Sequence, residues 1–280
     1  MHPKLLSSLS LLVIILLLPG YAAAQSLRLS VVSNTGEAVP YATVFAVALE
    51  KGLITDDKGQ FTLDWENAAD TTTVTISSVG FQTTTFSHQH LSKLANANEA
   101  IVLPKATYTL ADVEVRDKRL QLRKKRLGLP GFLNATYIQR VGSKSYFLEA
   151  GPIIRPQKRC RLDAVELRVQ DMDADTVLMD VNVYALEGSK VQEQLLRERL
   201  FVSVTRQEVG KDLTVNLLPQ DLWIDGDFLV TFRLLKVVGN EGKFGFKGKT
   251  GYRHGLSRAE NGKWEKTYVT PALFAVVSYE

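Results

Sequence analysis

Apolar and polar positions alternate with a period of two along most of this chain. Leu27, Leu29 and Val31 alternate with Arg28 and Ser30. Val165, Leu167 and Val169 alternate with Glu166 and Arg168, and Val181, Val183 and Ala185 with Asn182 and Tyr184. A period of two puts one side of a segment in a core and the other in water, which predicts half-buried strands. Tyr41–Val47, Gln60–Leu63, Thr73–Ser77 and Phe81–Phe86 add β-rich runs, separated by turn sequences such as Asn34-Thr35-Gly36 and Thr55–Gly59. Many short strands at this spacing predict sandwiches or small barrels. A single helical turn is expected at Leu91–Ala95, before a strand pair at Ala100–Leu103 and Asp112–Val115.

The second half repeats the β pattern. Phe228–Phe232 and Phe274–Tyr279 are further strands, and Asp171–Asp175 reads as a hairpin turn joining its two flanking strands. Between the halves, Arg116, Lys118, Arg119, Arg123, Lys124, Lys125 and Arg126 face the single acid Asp117. This stretch, 116–130, reads as a basic linker or short helix; its sharper reading is a contact with an anionic membrane surface. The expected architecture is all-β: one sandwich over 25–115 and a second, resembling a jelly roll, over 131–280.

The first half carries a family resemblance. Val39-Pro40-Tyr41-Ala42-Thr43-Val44, then Gly52–Phe61, then Ile76-Ser77-Ser78-Val79-Gly80-Phe81 resemble, in order and spacing, the carboxypeptidase-regulatory-like domain, and Leu110–Val115 resembles its last strand. The resemblance implies a seven-stranded, transthyretin-like sandwich of a generally non-catalytic type. In Gram-negative bacteria such domains precede TonB-dependent outer-membrane receptors or occur in standalone envelope proteins. No plug and no barrel follow here, so receptor function does not carry over.

The N-terminus points to export. Lys4 precedes the apolar run Leu11–Leu18, Pro19-Gly20 breaks it, and Ala22-Ala23-Ala24 offers a cleavage site. This is the pattern of a signal peptide over 1–24, with Gln25 the first mature residue. The apolar run is well short of the roughly 20 residues a bilayer span needs, and no later segment qualifies as a transmembrane span. The expected location is the periplasm or the surface of a Gram-negative cell. Charge is near balance, 34 basic against 30 acidic residues, so no nucleic-acid partner is implied. The lone cysteine, Cys160, cannot form an internal disulfide. Its basic neighbours would favour a thiolate, and the competing reading is a half-buried small residue at the start of a strand.

Candidate chemistry is sparse. No G-x-S-x-G elbow, no H-E-x-x-H and no paired cysteines occur, so no catalytic residue is expected. His88 and His90 would share one strand face and could begin a metal site, against the reading of solvated histidines. Gly242–Thr250 ends in Gly-Lys-Thr but has the wrong spacing for a phosphate loop, and reads as a mobile hairpin loop. Asp171, Asp173 and Asp175 have the spacing of the first calcium-loop ligands without its Gly or closing Glu, so a structural calcium is the only cofactor to weigh against a plain charged turn. Trp223, Tyr252, Trp264 and Tyr268 lie in or beside polar stretches. They could stack on sugar faces or serve as core and corner residues. The function expected is a non-catalytic envelope protein, a scaffold or binding module whose partner is an envelope protein; the alternative is a glycan-binding module.

Overall fold

A computed structural model describes residues 26–49, 51–64, 68–106, 123–129, 135–141, 149–240, 242–251, 253–259 and 262–279. The signal segment, the Leu110–Val115 strand, the first part of the basic stretch and Tyr252 lie outside the described residues.

The described residues up to 106 carry seven strands: Leu27–Ser33 (β1), Thr43–Ala46 (β2), Lys51–Ile54 (β3), Gln60–Leu63 (β4), Thr73–Ser77 (β5), Thr84–Ser87 (β6) and Ile101–Leu103 (β7). They form two sheets, ordered β4-β1-β7 and β3-β2-β5-β6. The period-two pattern is realised directly: Leu27, Leu29 and Val31 of β1 are buried, as are Val44 of β2, Phe61 and Leu63 of β4, and Val74 and Ile76 of β5. These side chains form one core. Gly59 sits at φ 73°, where a side chain is disfavoured, and a Cβ there would stand 2.6 Å from the Val31 carbonyl oxygen. The Asp56–Gly59 turn can therefore lie against β1 only with glycine at its end.

The helical segment is longer than the turn expected at Leu91–Ala95. Helix α1 spans His88–Ala97; the Ser87 hydroxyl caps it by accepting from His90 N at 3.2 Å, and Asn98 closes it in the left-handed conformation. Leu91 anchors it in the core. The polar composition of the first turn hid a helix whose start is fixed by its cap.

From residue 123 onward the strands are Arg123–Gly128 (β8), Ala135–Val141 (β9), Glu149–Ile154 (β10), Cys160–Met172 (β11), Thr176–Glu187 (β12), Lys190–Gln194 (β13), Leu200–Thr205 (β14) and Asp212–Asn216 (β15). Leu222–Ile224 (β16), Phe228–Val238 (β17), Gly242–Thr250 (β18), Gly255–Arg258 (β19), Trp264–Lys266 (β20), Val269–Pro271 (β21) and Leu273–Tyr279 (β22) complete them. One sheet runs β13-β12-β17-β10-β19-β20 with β14 beside β12. The other runs β21-β18-β11-β22-β8, with β15 and β16 on β11 and β9 on β18. Between them lies the larger core, in which Phe232 and Phe246 ring centroids approach to 4.3 Å and Phe244 and Phe246 to 5.0 Å. Fully burying each such ring contributes roughly 1.5–3 kcal/mol. The all-β, sandwich-like architecture is the one the alternation predicts.

Three local expectations need correction. Arg123–Gly128, assigned to the linker, is edge strand β8, paired with β22 from Arg123↔Tyr279 to Gly128↔Phe274. Leu127 packs on the core while the exposed edge carries the charges, a common protection for a sheet edge. Gly242–Thr250 is not a loop but strand β18, flanked by β9, β11 and β21. Its Phe244 and Phe246 alternate with exposed Lys243 and Lys247, a period-two pattern masked by the glycines. Asp171–Asp175 is not a hairpin turn: β11 and β12 belong to opposite sheets, so the segment is a corner that carries the chain across the sandwich.

Candidate functional site

The densest chemistry lies on the outer face of the β12-β17-β10-β19 sheet, where the first sandwich covers it. Four neighbouring strands present one cross-sheet row. Asp180 on β12 stands opposite Arg233 on β17, Arg233 opposite Glu149 on β10, and Glu149 opposite Arg258 on β19. Charges alternate in sign along it, the favourable arrangement for cross-strand neighbours. Phe201 on β14 extends the row at one end and Trp264 on β20 at the other.

All four charged residues are largely withdrawn from water, and each charge is matched. Arg233 forks onto Asp180, with Nη2 to Oδ2 at 2.6 Å and Nε to Oδ1 at 3.3 Å. Arg258 Nη2 donates to Glu149 Oε2 at 2.5 Å, and the Thr231 hydroxyl donates to Glu149 Oε1 at 2.6 Å. Asn182 Nδ2 donates to Asp180 Oδ1 at 3.2 Å, and Gln194 Nε2 to Asn182 Oδ1 at 2.8 Å. Burial alone would push the Glu149 carboxyl up, yet Arg258 and Arg233 overcome it and hold the group below its usual range. Burial opposes the Arg233 charge as well, and Asp180 and Glu149 more than offset it. Tyr184 is pushed up by burial and by Glu149, so its hydroxyl stays protonated. The Glu149 carboxylate is thus held as an anion by arginine, and Asp180 is paired with Arg233.

Two arginines join this face to the first sandwich. Arg233 Nη1 donates to Thr43 Oγ1 at 2.7 Å. Arg199 donates from Nη1 to the Pro40 carbonyl and from Nη2 to the Tyr41 carbonyl, each at 2.5 Å. Tyr41 holds a left-handed φ of 55°, a strained choice for an aromatic residue that the surroundings must enforce. Its ring packs edge-on to Phe201, with centroids 5.7 Å apart. Nearby, Val79 packs on the larger core, and a Cβ on Gly80 (φ 84°) would come within 2.9 Å of the Arg197 carbonyl oxygen. Lys236 and Asp57 add an exposed ion pair at 2.7 Å. The Pro40–Thr43 and Ser78–Phe81 segments, read from sequence as family hallmarks, are among the places where the sandwiches touch.

A cavity of about 370 Å³ opens between them, lined by Ser78, Phe81, Asn182, Gln194, Arg199 and Arg233 among others.

The other candidates take varied places. Trp264 packs edge-on against Tyr184 at 5.4 Å, with the Arg258 guanidinium 4.7 Å over its ring. Trp223 lies in the opposite sheet, under Arg159 and Arg161 at 5.4 and 5.9 Å. Tyr268 is exposed. The two tryptophans are therefore not brought together on one platform.

Asp173 and Asp175 serve the corner: the Asp173 carboxylate accepts from Lys243 N at 2.8 Å, and Asp175 lies 3.4 Å from Arg206 Nε. Arg206 also donates to the Asp173 and Ala174 carbonyls. Asp171 is exposed on β11. No cluster of three or more metal-ligating side chains occurs among the described residues.

His88 and His90 are in the first turn of α1, not on a strand, so two residues of spacing turns them to different faces. His90 stacks on Phe86 at 5.6 Å. Cys160 is fully buried, and burial followed by Asp163 pushes its thiol up to about 11, the reverse of an activated thiolate.

Sequence reading missed Arg199, Arg233, Glu149, Asp180 and Arg258. The available signal was a charge inside an apolar strand run, as in Met179-Asp180-Val181 and Phe232-Arg233-Leu234.

Residues 30–115 match the family model described as the CarboxypepD_reg-like domain, a non-catalytic type of domain. No curated protein matches the chain. Among solved structures, those of infectious bursal disease virus Gt strain and Gx strain are each 9% identical with a TM-score of 0.27. Each match covers 90% of this chain, and 59% and 60% of the respective viral chains. The chain thus spans less than two thirds of their length, and at that TM-score the likeness carries no structural or functional argument. Among the described residues, no helix is long and apolar enough to cross a membrane.

Proposed function

We propose that this chain is a non-catalytic protein exported to the bacterial envelope, where it acts as a scaffold or binding module for another envelope protein. Its two sandwiches, divided between residues 106 and 123, work as one rigid body. The observation that carries this reading is the grip of Arg199 and Arg233 on Pro40, Tyr41 and Thr43, which joins the sandwiches through partly buried, charge-assisted hydrogen bonds. A rigid pair of sandwiches presents a fixed surface to a partner and lowers the ordering cost of binding. The arginine-paired carboxylates support a structural rather than a chemical use of the site. The Ala22-Ala23-Ala24 pattern supports export.

The test is in-cell cross-linking of the full chain followed by envelope fractionation. The reading expects a mature N-terminus at Gln25 and a discrete cross-linked species with an envelope protein, weakened in an Arg199→Ala variant. Retention of Met1, cytoplasmic fractionation, or turnover of a peptide or glycoside substrate would contradict it.

A further inference from the structure

Strand β14 leaves a row of its backbone groups open. On the edge of β12 that carries β13 and β14, Val183 uses both its N–H, bonded to Gln194 Oε1, and its carbonyl, bonded to Leu195 N. Backbone bonds alternate along an antiparallel strand. Val181, Met179 and Val177 therefore turn the same way as Val183 and bond to Leu200, Val202 and Val204. The N–H and C=O groups of Phe201 and Ser203 then point away from β12. Both residues are exposed, and among the described residues no other strand pairs with β14. Thr205 faces the same way, but the Glu208 carboxylate takes its N–H at 2.7 Å and ends the open row. An open edge attracts other strands, and β8, β13 and β20 guard theirs with charge: Arg123–Arg126, Lys190 and Glu193, and Glu265 and Lys266. The β14 sequence Leu-Phe-Val-Ser-Val-Thr has neither charge nor proline, and its Leu200 and Val202 are only half-buried against the core.

We propose that β14 pairs antiparallel with β14 of a second copy of this chain, making one sheet continuous across a two-fold axis at Val202. The open groups set the register. Phe201 stands opposite Ser203 of the second copy and Ser203 opposite its Phe201, and each of these two pairs exchanges both its hydrogen bonds. Sliding one step in either direction would recruit Arg199 or the already capped Thr205. The faces also match: Val202 meets Val202 and Leu200 meets Val204, which extends the apolar inner side. Charge suits the antiparallel sense. Before the strand, two cations (Arg197 and Arg199) outweigh one acid (Glu198); at its far end, two acids (Asp175 and Glu208) outweigh one cation (Arg206). Antiparallel pairing sets the positive end of each copy against the negative end of the other. The contact rests on one strand edge, so the dimer is a weak one that fills as concentration rises.

Analytical ultracentrifugation of the full mature chain at rising concentration, joined to cysteine cross-linking, tests the pairing. The sedimentation coefficient climbs from the monomer value to the dimer value. Ser203→Pro removes an outward N–H and leaves the β12 ladder whole, so each copy loses one bond across the axis and the dimer weakens at least roughly tenfold. Circular dichroism checks that this variant folds. Val202→Cys sets two Cα atoms about 4.5 Å apart across the axis, a span that a disulfide bridges. Under mild oxidation it cross-links faster than Ser203→Cys, although Ser203 is the more exposed. Cys160 is buried and stays out of the exchange. Faster cross-linking through Ser203→Cys would mean random collision or another register and would overturn the proposal. A monomer at every concentration would overturn it too, as would a dimer that folded Ser203→Pro leaves intact. A chain that stays monomeric while Ser203→Pro abolishes cross-linking to an envelope protein would give the edge to a strand of that protein instead. Each of these failures leaves the junction made by Arg199 and Arg233, and the scaffold reading built on it, in place.

Discussion

Arg233 Nη1 donates to Thr43 Oγ1 at 2.7 Å, across 190 positions of sequence. The same guanidinium holds Asp180 on the neighbouring strand, so one side chain belongs at once to the second sandwich's charge row and to its contact with the first. A sheet whose inner face is apolar and whose outer face is charged ordinarily shows that outer face to water. Here the first sandwich covers it, and the charges persist because each acid has an arginine.

Breaking one partner of that pair should therefore cost more than removing both. Asp180→Ala leaves Arg233 buried without its counter-ion and should lower stability by about 3–5 kcal/mol. The double variant Asp180→Leu, Arg233→Met should recover part of this. Denaturant titration of the three chains checks the order; a double variant less stable than the single would show that the pair contributes chiefly through its attraction.

The acid limb of stability should depend on Glu149. Its carboxyl is held below its ordinary range in the fold, so its contribution is present above the unfolded-state value near 4.5 and is lost as pH falls through the lower folded value. Melting temperature measured between pH 6 and pH 3 should fall less steeply in Glu149→Gln, from a lower starting point. Parallel curves would assign the acid sensitivity to other groups.

Cys160 should be silent to thiol reagents in the native state. The thiol is raised to about 11 from 9.0, so the fold favours the protonated form. That preference is fully present below the unfolded value and is lost as pH rises through the folded one, so stability should decline between pH 9 and 11. Ellman titration at pH 8 should show no fast reaction until denaturant is added. Rapid labelling of the native chain would mean that the strand carrying Cys160 opens.

Both tryptophans are half-buried, and Trp264, wedged between Tyr184 and Arg258, should contribute more to packing than Trp223. Trp264→Ala removes the ring between Tyr184 and Arg258 and should destabilise by roughly 3 kcal/mol, the low end for loss of a packed aromatic. Trp223→Ala removes partly exposed contacts with two arginines and should cost about 1 kcal/mol. Thermal melts of both variants would expose an inverted order.

The strands were largely readable because burial follows a period of two: β1, β11 and β12 lie where Leu27–Val31, Val165–Val169 and Val181–Ala185 alternate. The reading failed where a single cue competed with that period. Glycines in Gly242–Thr250 suggested a loop, although Phe244 and Phe246 mark the buried face of a strand. The basic run at Arg123–Arg126 suggested a linker, although an exposed edge strand tolerates charge on every residue. The site was less legible still. A strand covered on both faces can place arginine and aspartate where a sandwich normally meets solvent, and only the register of β12, β17, β10 and β19 shows that Asp180, Arg233, Glu149 and Arg258 form one row. Arg199 gave no sign of reaching Pro40, because a contact 159 residues distant leaves no local pattern.

Calorimetry of the mature chain tests the central claim, that the two sandwiches form one body through Arg199 and Arg233. The wild type should unfold in a single transition whose calorimetric and van't Hoff enthalpies agree, and Arg199→Ala combined with Thr43→Val should split it into two, one for each sandwich. Two separate transitions in the wild type, unchanged by those substitutions, would contradict the account.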